Sequence, residues 1–250
     1  MICPHRGSLG IRQRPILTPR NPTLPLARKQ RSQVSSQTLS RRDVFCKASS
    51  TGEETSVSVF LAPAPRNSRL LCAGVDIQAP VEAVWDCLTD YENLAEFIPG
   101  LVVNECLEMR DTGARLKQVG QQDLYLGVKF CATAVLDIAE HIEGMPRELC
   151  YNIGYSHNGE FKEGDWFPCP EKVLKSDPRD IVFSLVDGDF QAFKGVWRME
   201  KMAVGVTRLA YGLHVRPQKW LPVGLIQGRI KREVQSNLAA VKKHAEKTAS

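Results

Sequence analysis

The sequence predicts an α+β domain in which a curved antiparallel sheet wraps around one long C-terminal helix. Three observations carry the prediction. In Gln191-Ala-Phe-Lys-Gly-Val-Trp-Arg-Met-Glu200, residues Phe193, Gly195, Trp197 and Met199 fall on one face and Lys194, Arg198 and Glu200 on the other, the alternation of a strand with one dry and one wet side. The stretch Thr207 to Val215 repeats the device, with Leu209, Tyr211, Leu213 and Val215 set against Arg208, Gly212, His214 and, just beyond, Arg216. Adjoining strands therefore share an apolar concavity. From Pro222, a favoured first-turn residue, to about Lys247, residues Ile226, Ile230, Val234, Leu238 and Val241 recur at helical spacing and form one stripe. At about 1.5 Å per residue, a helix of this length spans roughly 39 Å, enough to cross the sheet.

The remaining elements follow in order. Arg69 to Ile77 reads as a first strand, and Gln78-Ala-Pro80 launches a short helix, Val81 to Leu88, whose buried side carries Val81, Val84, Trp85 and Leu88. Asp90 to Asn93 begins a second helix, which the proline and glycine of Phe97-Ile-Pro-Gly100 stop. Leu101 to Met109, Ala114 to Leu126 and Val128 to Ile138 read as strands, the first two joined through Asp111-Thr-Gly113. In the third, Phe130, Ala132, Ala134, Leu136 and Ile138 alternate with polar positions, so an antiparallel sheet that is wet on one side is expected. Ile181, Phe183 and Leu185 share a face of a further strand, and Val186-Asp-Gly-Asp189 is a tight hairpin signal.

Composition limits the function. Residues 1–50 hold ten Lys or Arg, one acid (Asp43), ten Ser or Thr and five prolines, a composition that builds no core. Without an apolar h-region, such a segment reads as an organelle transit peptide ending near Val44-Phe-Cys-Lys-Ala48, with a basic nucleic-acid arm as the alternative. The serine content and the Val44-Phe-Cys46 ending favour a chloroplast over a mitochondrion. Residues 51–66 are polar and then proline-rich, a flexible lead-in. Residues 51–250 carry 23 basic and 27 acidic side chains, a formal charge of −4, which argues against a nucleic-acid partner. Residues 67–247 make one domain, large enough to bury roughly 70% of its unfolded surface. Of eight cysteines none forms a Cys-x-x-Cys pair, so a zinc or redox motif is not expected and buried free thiols are the default, a disulfide remaining open.

The order of elements resembles the helix-grip fold of START-like proteins. Asp187-Gly-Asp-Phe-Gln-Ala-Phe-Lys-Gly-Val-Trp197 is similar to the coenzyme Q-binding START-domain and polyketide cyclase-like family. So are Ala79-Pro-Val-Glu-Ala-Val-Trp85, Asp90-Tyr91 through Phe97-Ile-Pro-Gly100, and Leu225 to Val241. The resemblance implies an apolar cavity between sheet and long helix that holds a quinone, a lipid or a polycyclic compound as ligand rather than as cofactor. It places Phe97, Ile98 and Pro99 at the mouth, Phe193 and Trp197 on the sheet wall, and Ile226 and Ile230 on the helix wall. Phe130, Phe183, Met199, Tyr211, Leu213 and Val234 complete the expected lining. The same side chains would equally fill a solid core.

One departure from the family pattern is an insertion over about residues 141–180. It contains Leu149, Tyr151, Ile153 and Tyr155 in strand-like alternation and then Gly164-Asp-Trp-Phe-Pro-Cys-Pro170. Insertions of this length are often lids or binding loops, and packing of Trp166 and Phe167 on the domain's own surface competes with a membrane or protein partner. Trp220 and Leu221 suit either peripheral contact with a headgroup region or a buried hinge before the helix.

No catalytic constellation accompanies the fold. Tyr211 is the polar side chain expected inside, whereas His214 and Arg198 alternate outward. Asp187 and Asp189 flank a turn glycine, and neither a His-x-x-x-His pair nor a nucleophile elbow is present. A binder or carrier of a hydrophobic molecule is therefore the leading reading, with no metal. A cyclase-like enzyme on a polyketide or isoprenoid substrate, and an organelle assembly factor with a vestigial cavity, are the alternatives.

Overall fold

The computed structural model describes residues 57–123, 129–152, 164–170 and 178–250, with the backbone alone at 122, 123, 129, 130 and 152. The expected transit segment 1–50 and the positions Ile153 and Tyr155 lie outside the described residues. Among the described residues eight strands form one antiparallel sheet. In chain order they are β1 (Ser58–Ala64), β2 (Ser68–Ile77), β3 (Leu101–Arg110), β4 (Gly113–Asp123), β5 (Lys129–His141), β8 (Arg179–Gly188), β9 (Phe190–Ala203) and β10 (Val206–Pro217). Two short strands of the insertion, β6 (Cys150–Asn152) and β7 (Phe167–Cys169), pair in parallel as a separate ribbon. The sheet order is β1-β2-β10-β9-β8-β5-β4-β3. Helices α1 (Val81–Thr89) and α2 (Leu94–Phe97) follow β2, and α3 (Val223–Thr248) ends the described chain apart from its last two residues.

The first strand corrects the expected lead-in. Val59 and Leu61 pack against the core while Ser58 and Phe60 face outward, so 58–64 add an edge strand to β2. The turn after it puts Arg66 and Asn67 at positive φ, a backbone region that Asn tolerates better than most residues. Its purpose lies at the other end of the chain. Pro222 caps α3 without a side-chain hydrogen bond, and Asn67 supplies what is missing: its Oδ1 accepts from Val223 N at 2.8 Å and its Nδ2 donates to Leu221 O at 2.9 Å.

Helix α3 is laid along β2 and tied to it at both ends. Arg69 Nε donates to Gln227 Oε1 at 2.8 Å near the start, and Lys242 Nζ donates to Asp76 O at 2.8 Å near the finish. Its apolar stripe is not buried evenly. Val234, Leu238, Val241 and Ala245 are buried against the core that includes Leu71, Ala73, Val75 and α1 residues, whereas Ile226 and Ile230 are only half-buried. Leu238 has no exposed surface. Leu238→Ala should therefore destabilise the fold by about 2–5 kcal/mol, measured as a shift of the urea midpoint with unchanged slope; a loss below about 1 kcal/mol would contradict the packing described.

The expectation of one wet face fails across β8, β9 and β10. Arg198, Glu200 and His214 alternate outward as the sequence indicates, yet all three are buried. The insertion covers Arg198 and His214. Pro168, on β7, brings its carbonyl so close to β10 that a Cβ on Gly212 would lie 1.8 Å from it, so only glycine fits there. A second small core of Met145, Cys169, Val182 and Val196, joined by Leu149 and Phe167, fills the interface. Arg198 is its polar centre: Nε and Nη2 grip Asp180 at 2.8 and 2.9 Å, and Nη1 donates to Pro170 O at 2.9 Å. Trp166 packs on Tyr151 and His214, with Lys194 Nζ over its ring at 4.1 Å. Trp166 and Phe167 thus pack on the domain's own surface.

Candidate functional site: a cavity under the C-terminal helix

Between the half-buried N-terminal part of α3 and the concave face of the sheet lies a cavity of about 250 Å³. Its floor is aromatic. Trp197 and Tyr211 sit on neighbouring strands in register, ring centres 4.3 Å apart, and Phe183 lies 5.9 Å from Tyr211 and 5.6 Å from Phe193. The Phe183 ring reaches this position over Gly195, where a Cβ would stand 2.3 Å from the ring edge. Ala132, Ala134, Leu136 and Ile138 of β5 form the far wall, and Ile226, Ile230 and Val234 of α3 the roof. Exposed Pro99 and Gly100, after α2, mark the mouth.

Of the expected lining, Ile98, Pro99, Phe183, Phe193, Trp197, Tyr211, Leu213, Ile226, Ile230 and Val234 meet at this cavity. Phe97 does not line it: its ring stacks on His244 of α3 at 4.2 Å, fixing α2 against the helix. Met199 shares the inward face but sits fully buried opposite Leu209 and Arg179, beyond the cavity's end. Phe130 belongs to β5, and its side chain lies outside the described residues. The hinge alternative for Trp220 is corrected too, because that ring is 75% exposed.

Sequence reasoning missed the polar groups. Glu233, Asn237 and Arg229 of α3 and Gln118 of β4 also line the cavity. They flank the apolar stripe, where a helical pattern normally signals solvent. Gln118 Nε2 donates to Asn104 Oδ1 at 3.0 Å, and Asn104 in turn donates to Tyr91 O, a relay beneath the mouth. Asn237 Oδ1 is buried with no hydrogen-bond partner among the described residues, which leaves one acceptor open to a guest. Burial holds the Glu233 carboxyl above its ordinary range. Burial also pushes the Tyr211 phenol up, with the charge of Glu233 adding to it, so this hydroxyl keeps its proton. Tyr91, raised first by burial and then by its 2.7 Å hydrogen bond to Glu140, does likewise.

Among the described lining residues there is no Ser, Thr, Cys, His, Lys or Asp. Among the described residues no group of His, Cys, Asp and Glu is placed to hold a metal ion, and no helix is long and apolar enough to cross a membrane. The turn residues behave as turns: Asp189 Oδ2 accepts from Thr133 N at 2.7 Å. What the cavity can do is bury an apolar body and hydrogen-bond a polar end.

This arrangement of sheet, helix and cavity defines a helix-grip protein. Residues 77–242 match the family described as polyketide cyclase/dehydrase and lipid transport, and the chain belongs to that family. Solved structures share the fold at low identity. A STAR-related lipid transfer protein from Xanthomonas axonopodis matches with a TM-score of 0.56 at 12% identity, over 78% of this chain and 96% of that one. Human StAR-related lipid transfer protein 5 matches with a TM-score of 0.53 at 12% identity, over 80% of this chain and 86% of that one. The Zhui aromatase/cyclase from Streptomyces sp. R1128 matches with a TM-score of 0.50 at 16% identity, over 73% of this chain and 96% of that one. No curated protein matches the chain.

The raised Glu233 carboxyl has a measurable sign. Because the folded state favours its protonated form, its contribution to stability is fully present below the ordinary value of 4.5 and is lost as pH rises through the raised one. Glu233→Gln keeps the shape and removes that loss. Thermal unfolding across pH 4 to 8 should show the variant gaining on the parent as pH rises, with the gap closing at the acid end; a gap that is independent of pH would refute a buried carboxyl held above its normal range.

Proposed function

We propose that this protein binds and carries a hydrophobic small molecule of the prenylquinone type, with the ring inside the cavity and the tail leaving through the mouth at Pro99 and Gly100. The observation that carries the reading is a cavity of about 250 Å³ with an aromatic floor and a few polar atoms. Size narrows the ligand class. A cavity of about 150 Å³ holds benzene, so this one accommodates a substituted ring or a small bicycle, and a two-chain lipid does not fit inside it. Each methylene withdrawn from water contributes about 0.8 kcal/mol, enough for retention without chemistry. The open acceptor of Asn237 suits a ring hydroxyl, as in a quinol. The family's lipid-transport description and the lipid transfer proteins among its structural neighbours support carriage.

One observation favours a second reading. Glu233 is an ionisable group at the cavity with a raised pKa, the kind of carboxyl that serves as a general acid, and an aromatase/cyclase shares the fold. On that reading the protein would act on a polyketide or isoprenoid ring.

Native mass spectrometry of the full chain offered a short-tailed quinol separates the outcomes. A one-to-one complex is expected, lost in Ala132→Phe and Ile226→Trp, which fill the cavity from opposite walls while leaving the melting temperature near that of the parent. Uptake unaffected by both substitutions would rule this cavity out as the site. Turnover of an offered polyketide, abolished by Glu233→Gln with binding intact, would select the enzyme.

Delivery to a chloroplast is part of the proposal, supported by the arginine-rich, serine-rich, acid-poor first fifty residues. Residues 1–50 fused to a fluorescent protein should enter chloroplasts in leaf cells; entry into mitochondria would select the alternative, and a cytosolic signal would exclude both.

A further inference from the structure

The insertion brings together two cysteines that lie 19 residues apart in sequence. Strands β6 and β7 pair in parallel with Cys150 opposite Phe167 and Asn152 opposite Cys169, which sets the two sulfurs on one diagonal, Sγ to Sγ 2.8 Å. Arg198 comes from below. Its Nη2 lies 3.8 Å from Cys150 Sγ, and the guanidinium is buried and held in place by the bidentate grip on Asp180. A fixed positive charge thus faces one sulfur of a close pair. The two sulfurs also differ in access: Cys150 is half-buried, whereas Cys169 has no exposed surface.

We propose that Cys150 and Cys169 form a reversible dithiol–disulfide site in which Cys150 reacts first and Cys169 resolves. The oxidant is a hydroperoxide. The Cys150 thiolate attacks the peroxide oxygen, the O–O bond breaks, and hydrogen peroxide leaves a sulfenic acid and, after taking up a proton, water. The Cys169 sulfur then attacks the sulfenic sulfur; the S–S bond forms, the S–O bond breaks, and the hydroxide takes the thiol proton to leave as a second water. Two thiols have lost two electrons and two protons, and one peroxide has become two waters. A dithiol reductant reverses the step by exchange at the accessible Cys150 sulfur.

The chemistry of the pair supports this order. The Cys169 thiol donating to Cys150, and then the Arg198 charge beside it, draw Cys150 below the range of an ordinary thiol, which favours its thiolate. The same contact pushes Cys169 up, as a resolving thiol that attacks second. The buried thiols elsewhere are opposite in character: burial raises Cys72 and Cys87 to about 12. The site stands on the outer face of the sheet, separate from the cavity, and does not depend on what the cavity holds.

The test uses the full chain, reduced, then given one equivalent of hydrogen peroxide and alkylated. Expected are a mass loss of two hydrogens, a peptide cross-link joining Cys150 to Cys169, and recovery of both thiols with dithiothreitol. In Cys169→Ser, dimedone should trap a sulfenic acid at Cys150; in Cys150→Ser, Cys169 should stay reduced. In the parent the rate of Cys150 alkylation should level off at a lower pH than for an ordinary thiol, and in Cys169→Ala, which removes the donating thiol, it should level off at a higher pH than in the parent. Persistence of both thiols while the exposed Cys131 oxidises, or cross-links of Cys150 to other cysteines in place of Cys169, would overturn the proposal.

Discussion

Everything in this fold depends on how unevenly one helix is held. Helix α3 is fastened to β2 by hydrogen bonds at both ends, but its apolar burial is concentrated in the half around Leu238, Val241 and Ala245. The other half, with Ile226 and Ile230, is carried at a distance from the sheet by those fastenings and by Asn67 at its cap. A helix packed evenly along its length would close the concavity, because interiors fill to near crystal density wherever the backbone permits. Here the tethers to an edge-side strand keep the roof over the aromatic floor, and the cavity is the space left between them.

The outer face imposes a second constraint. Burying Arg198 is costly unless its charge is paired and its donors are satisfied, and Asp180 and Pro170 O do both. Burial alone would depress the guanidinium's proton affinity, but the hydrogen bonds and charge of Asp180 outweigh it and raise it further. The same residues that satisfy Arg198 bind the insertion to β9 and β10. Trp197 and Tyr211, neighbours of Arg198 and Gly212 along those strands, face the cavity. The two faces of the sheet are thus stiffened through common backbone, and the floor of the cavity rests on strands that are covered on both sides.

Much of this was legible in the sequence. The alternation in β9 and β10 and the stripe of α3 placed the inward side chains correctly, and ten of the thirteen expected lining residues surround the cavity. What the pattern could not show was contact made by distant segments. Period-two alternation says which face a side chain takes, not whether another segment covers it, so Arg198 and His214 read as wet. Gly212 carried the one local hint, a strand glycine at a close backbone approach. Phe97 was misplaced because its stacking partner, His244, lies far along the chain. Glu233 and Asn237 flank a helical stripe where charge and amide usually meet water, and only the half-buried roof turns them inward. The pairing of Cys150 with Cys169 is likewise invisible to spacing, since only the pairing of β6 with β7 aligns them.

A crystal structure of the protein soaked with a short-tailed quinol examines the central claim most directly, since it reports the space beneath α3 and its occupant together. Ring density stacked over Trp197 and Tyr211, with a hydroxyl within hydrogen-bond distance of Asn237, is the expected result. Ile226 and Ile230 packed down onto Phe193 and Tyr211, with no void and no guest, would contradict it.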